Sequence, residues 1–83
     1  MKITFKTSGI MSEILPADAS DDQMMLEVAD GATITDVMAQ LNLPEDEFYL
    51  IILNDVVSPK AVRSKTVLNE GDELGIFPPL KGG

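Results

Sequence analysis

The chain has 83 residues, fourteen carboxylates against six lysines and arginines, and neither cysteine nor histidine. Thiol nucleophiles, disulfides, thiolate zinc sites and imidazole bases are therefore excluded. A net charge of −8 argues against binding nucleic acid or an anionic membrane surface. It favours solubility and steering toward a partner with a basic face. With 45% apolar residues, one small folded domain is expected. No apolar run approaches the ~20 residues of a membrane span, and the start MKITFK lacks a signal-peptide core, so a cytoplasmic protein is expected.

Residues 2–6 alternate, Ile3 and Phe5 against Lys2, Thr4 and Lys6, which predicts a half-buried strand. Residues 7–23 scatter Gly, Pro, Ser and Asp and read as a long loop, with one helical turn expected over 10–15. The acidic run DASDD at 18–22 lacks the spacing and glycine of a calcium loop. Met24, Leu26 and Val28 alternate again, which predicts a second strand paired with the first.

TITDVMAQLNLP carries the clearest local signal. Thr33 and Asp36 have the form of a capping box, and Ile34, Val37, Met38 and Leu41 make one apolar stripe. Pro44 is expected to stop a helix of about ten residues. YLIILN (49–54) is apolar almost throughout and reads as a central strand covered on both faces. Asn54-Asp55 reads as a turn and Val56-Val57 as a short return strand. The segment SPKAVRSK, with Lys60, Arg63 and Lys65, is read as a solvated loop in preference to a docking edge. Asn69-Glu70-Gly71-Asp72 is expected to turn with Gly71 at positive φ. A last strand then points Leu74 and Ile76 one way and Gly75 and Phe77 the other. One helix laid across one sheet gives an α+β domain over residues 1–77.

The end, FPPLKGG, is patterned. Pro78 has no amide for a ladder, so Phe77 closes the strand. Pro78-Pro79 keeps the chain extended, and Gly82-Gly83 is thin enough to enter a narrow slot. Residues 78–83 are thus expected to form a flexible, extended tail that, beyond the stiff Pro78-Pro79 spacer, presents a carboxylate to another protein's active site. Such a carboxylate reacts once it is activated, most simply by attack on the α-phosphate of ATP. The acyl-adenylate then accepts sulfur, giving a thiocarboxylate, or an amine, giving an isopeptide. The chain supplies no acid, base or metal for this, so catalysis belongs to a partner.

The helix ATITDVMAQL, the strand ending LN, the turn EGD with its following strand, and the terminal GG together resemble the ubiquitin-like sulfur carriers of molybdopterin and thiamine-thiazole synthesis. The resemblance implies a β-grasp fold, a mixed sheet of four to five strands packed on one main helix. It also implies that a ubiquitin-activating-type adenylyltransferase, using ATP, adenylates Gly83, which then becomes a thiocarboxylate. No metal or bound cofactor is implied for the chain itself.

FPPLKGG is similar to the end of the small subunit of molybdopterin synthase, whereas residues 54–72 resemble the thiazole carrier. ITFKTSGIMSE lacks the aromatic pair and the arginine-glutamate common in the molybdopterin subunit, with Glu13 alone a match. Because the tail must fit the synthase pocket, it is weighted more. The molybdopterin resemblance implies the large synthase subunit as partner, with a thiazole synthase as the alternative. Contact residues are then Phe77, Pro78, Pro79, Leu80, Lys81 and Gly82, and Gly83 is the sulfur donor. A protein modifier joined to lysines through Gly83, and an interaction domain with an inert tail, are the remaining readings.

Overall fold

The computed structural model describes residues 1–8, 15, 23–44 and 49–78. The acidic run at 18–22, and the helical turn expected over 10–15 except for Leu15, lie outside them. Alternation sets the strands where the sequence predicts them. These are β1 (Lys2–Lys6), β2 (Gln23–Glu27), β3 (Leu50–Leu53), β4 (Val56–Val57) and β5 (Glu73–Phe77), with helix α1 (Ile34–Gln40) after β2. The sheet order is β2-β1-β5-β3-β4. β1 and β5 run parallel at its centre, and every other pairing is antiparallel.

Helix α1 starts as its sequence dictates. Thr33 Oγ1 accepts from the Asp36 amide at 3.2 Å, and the Asp36 carboxylate accepts from the Thr33 amide at 2.9 Å. The Ile34 and Thr35 amides donate to the carbonyls of Thr66 and Arg63, so the first-turn donors are all satisfied within the chain. The helix has seven residues rather than about ten. Asn42, not Pro44, ends it: at φ 60° it adopts the left-handed conformation. The Leu43 amide then donates to the Met38 carbonyl at 2.8 Å and the Asn42 amide to that of Ala39 at 3.1 Å, which is a Schellman cap.

Ile34, Val37 and Met38 from α1 pack on Ile3, Phe5, Ile51, Leu74 and Ile76 from one sheet face, with Val28, Ala32 and Leu68 closing the edges. Full burial of side chains of this size contributes about 1.5–3 kcal/mol each, which is what holds so short a helix in place.

The two turns beside β5 are locked to each other. Asn54 and Asp55 have φ of 50° and 67°, as a two-residue hairpin turn between β3 and β4 requires. The Asn54 side chain donates to Asp72 at 3.0 Å and accepts from the Glu73 amide at 2.9 Å. Asp72 in turn accepts from the Asn69 amide at 2.8 Å, in the turn where Gly71 takes φ 83°. Replacing Asn54 with alanine removes two hydrogen bonds and puts a Cβ-restricted residue at positive φ. A loss of about 1–3 kcal/mol in denaturant melts is expected. Asn54→Gly, which keeps the backbone freedom, is expected to recover part of it.

At the other edge, Met1 adds a rung to the β1–β2 ladder. Its amine donates to the Val28 carbonyl at 2.8 Å and lies 2.9 Å from the Glu27 carboxylate and 3.5 Å from that of Asp30. The hydrogen bond the amine donates to Glu27, opposed by desolvation and aided by the charges of Glu27 and Asp30, raises the amine pKa above its ordinary 8.0. A cation favoured in the folded state stabilises fully below pH 8.0, and that contribution is lost as pH rises through the raised folded value. Thermal melts are expected to show this alkaline loss in the chain beginning at Met1, and to show it abolished by N-acetylation.

Candidate functional site

The chemistry expected of the tail depends on where β5 releases it. β5 pairs with β1 on one side and β3 on the other, Leu50 lying opposite Phe77. Leu74 and Ile76 are buried under α1, while Glu73, Gly75 and Phe77 face the opposite side of the sheet, as their alternation predicts. The strand ends at Phe77, the residue before the amide-less Pro78. Pro78 is half-buried. Of the expected site residues, Phe77 and Pro78 are therefore placed, whereas Pro79, Leu80, Lys81, Gly82 and Gly83 lie outside the described residues.

Among the described residues, no element covers the sheet face opposite α1. A shallow pocket there is lined by Lys6, Ile52, Asp55, Glu73, Gly75 and Phe77. Ile52 lies opposite Gly75 on one side and Val57 on the other, and Leu50 lies opposite Phe77, so four apolar side chains adjoin on this face. Leu50 is 46% exposed and Val57 61%. This corrects the reading of YLIILN as a strand covered on both faces: α1 covers only the side of Ile51 and Leu53. An apolar run is equally consistent with a strand buried on both sides and one that keeps a face for a partner.

Charges rim this face. Lys6 Nζ lies 3.3 Å from the Glu73 carboxylate in a solvent-exposed pair, contributing little to stability. Asp55 adds a second carboxylate beside the pocket.

Arg63 corrects the reading of SPKAVRSK as a solvated loop. It is only 4% exposed, and its guanidinium donates to the Tyr49 carbonyl at 3.1 Å while sitting over the Tyr49 ring, 5.9 Å from the centroid. Desolvation by burial lowers its pKa, and the charge interaction with Tyr49 opposes this. Arg63 is thus a clamp holding the chain before β3 against the segment that caps α1. It is not part of a solvated loop. Lys60, in the 3₁₀ turn Lys60–Val62, and Lys65 are exposed as expected.

Among the described residues no helix is long and apolar enough to cross a membrane, and no cluster of three or more acidic, His or Cys side chains is placed to hold a metal ion.

A mixed five-stranded sheet wrapped on one helix, with its central β5 running out at one end, is the architecture of the ubiquitin-like β-grasp proteins. Solved structures that share it over nearly the whole chain include the following three. Small archaeal modifier protein 1 from Haloferax volcanii matches with TM-score 0.67 and 19% identity, covering 95% of this chain and 98% of that one. A chain of the complex of subunits 1 and 2 of molybdopterin-converting factor from Helicobacter pylori matches with TM-score 0.60 and 21% identity over 100% of both. The thiamine biosynthesis protein ThiS from Geobacter metallireducens matches with TM-score 0.62 and 15% identity, covering 96% of this chain and 99% of that one.

The model of the ThiS family matches residues 14–83. The chain belongs to that family of ubiquitin-like sulfur carriers. No curated protein matches it.

Proposed function

We propose that this chain is a sulfur carrier whose Gly83 carboxylate is adenylated and then converted to a thiocarboxylate. The observation that carries the reading is the family match, which spans residues 14–83 and so includes the Gly-Gly end. Support comes from β5, whose last residue is Phe77, immediately before the proposed tail of residues 78–83.

The reaction is a pair of substitutions. The Gly83 carboxylate attacks the α-phosphate of ATP and pyrophosphate leaves. A sulfide-level nucleophile then attacks the acyl carbon, AMP leaves, and the thiocarboxylate remains. The chain's part is to present the carboxylate. A ubiquitin-activating-type adenylyltransferase supplies catalysis, and the apolar face around Leu50, Ile52, Val57 and Phe77, rimmed by Glu73 and Asp55, is the surface that meets it. ATP is bound by that partner, and the setting is the cytoplasm.

For the destination of the sulfur we favour molybdopterin assembly, with the large synthase subunit as acceptor partner. The Phe-Pro-Pro-Leu-Lys-Gly-Gly end supports it, and the likeness to a chain of the Helicobacter pylori complex is consistent with it. Phe77, Pro78, Pro79, Leu80, Lys81 and Gly82 are then the contacts that thread Gly83 into the partner. Thiazole synthesis is the second reading, favoured by the name of the matching family and by residues 54–72. A modifier role shares the same adenylate and is favoured only by the archaeal likeness.

The test is reconstitution with ATP and the host's activating enzyme. Pyrophosphate exchange that requires this chain supports adenylation. Subsequent capture of the large synthase subunit rather than a thiazole synthase selects the molybdopterin branch.

A further inference from the structure

Gly75 is the one glycine inside a described strand, and its backbone does not need glycine: it lies in the regular part of β5, unlike Gly31 and Gly71 at positive φ. What it provides is space. A Cβ at position 75 falls 2.6 Å from Phe77 Cε2 and 3.0 Å from Cζ, whereas the nearest backbone atom, the Ile52 carbonyl oxygen, stays at an ordinary 3.6 Å. The Phe77 ring therefore lies back along its own strand with its far edge at residue 75, and it lines the pocket together with Ile52, Lys6 and Glu73. Glycine inside a strand costs conformational entropy, so a position that keeps it marks a close approach.

We propose that Gly75 is a positioning residue for the tail: by seating the Phe77 ring on the sheet it fixes the direction in which the chain leaves β5 toward Gly83. Phe77 is the last residue held by the ladder, opposite Leu50, and the next residue has no amide with which to continue it. The ring seat is thus the side-chain anchor closest to the point where the tail begins. Pro78 starts from that anchor with its own φ fixed, so any rotation at Phe77 is passed on to the residues beyond. The same seat keeps the ring beside the pocket it shares with Ile52, on the face proposed to meet the activating partner. This inference rests on the sulfur-carrier reading.

The variants are Gly75→Ala, Phe77→Leu and the double change. Alanine at position 75 displaces only the far end of a side chain, so Gly75→Ala is expected to fold with the melting temperature close to that of the parent. In ATP–pyrophosphate exchange with the host's activating enzyme, Gly75→Ala is expected to lower kcat/KM about ten- to a hundred-fold, the fall lying mainly in kcat because the carboxylate is misdirected. Adding Phe77→Leu removes the ring that the alanine displaces, and is expected to restore part of the loss. In the parent protein a Gly75 α-proton is expected to be displaced from the ordinary glycine range by the Phe77 ring current, and to return to that range in Phe77→Leu.

Undiminished kcat in Gly75→Ala, or no rescue by the second change, overturns the positioning role. So does a Gly75 α-proton at its ordinary shift. Absence of exchange with the parent chain overturns the carrier reading and takes the positioning role with it. Exchange that persists in the parent and in Gly75→Ala alike removes the positioning role alone.

Discussion

Gly83→Ala, or one residue added after Gly83, is expected to abolish adenylation while leaving the melting temperature unchanged. The two changes probe different parts of the same requirement. An alanine carboxylate is electronically equivalent to a glycine one, so loss of activity in Gly83→Ala reports the width of the slot that the tail enters. An added residue keeps the thin end but moves the carboxylate by about 3.3–3.6 Å. Displacement on that scale in a positioned reaction costs at least a hundred-fold. Stability should not follow activity, because every buried core residue among those described lies between Ile3 and Ile76. Pyrophosphate exchange and a thermal melt on the same sample separate the two. A melt that falls with the activity would show that the end of the chain supports the fold, contrary to a free tail.

The opposite behaviour is expected of Phe5→Ala. Phe5 is fully buried in β1 at the centre of the sheet, between Met24 on β2 and Leu74 on β5 in register. Truncating it removes the largest side chain of the core and leaves a cavity beneath α1, at a cost of about 3–5 kcal/mol. A domain of this size has roughly 4–12 kcal/mol to lose, so the variant is expected to melt some 12–40 °C lower, or to be unfolded at 37 °C. Leu50→Ala is the control of equal chemistry on the open face. It is expected to change stability by no more than about 0.5 kcal/mol. A Phe5→Ala melt as high as that of Leu50→Ala would contradict a helix-on-sheet core.

Much of this architecture is legible in the residues, and what is not has physical reasons. The capping box at Thr33 and Asp36 reads directly because it is local: two side chains and two amides within one turn decide it. Strands β1 and β5 read equally well, since each has one covered face and so alternates. The far end of α1 was overrun because Pro44 is the louder signal, while Asn42 stops the helix earlier through a left-handed cap that asparagine tolerates. The open face of β3 was illegible because hydrophobicity reports an avoidance of water and not which molecule provides the cover. Arg63 was misread for a related reason: a cation in an irregular segment is usually solvated, and only the folded chain brings the Tyr49 carbonyl to it. At the site itself, the turn of Phe77 toward the open face follows from alternation. Its seat on Gly75 was foreshadowed only by a glycine in mid-strand.

The most direct test of the sulfur-carrier account is the intact mass of this chain purified under mild conditions from its native host, with fragmentation to locate any change. The account predicts a fraction heavier by the exchange of one oxygen for sulfur, confined to Gly83, and converted back to the carboxylate when the acceptor partner and its substrate are added. A chain that carries only the plain carboxylate, and still does so after incubation with ATP, a sulfur source and the host's activating enzyme, would contradict it.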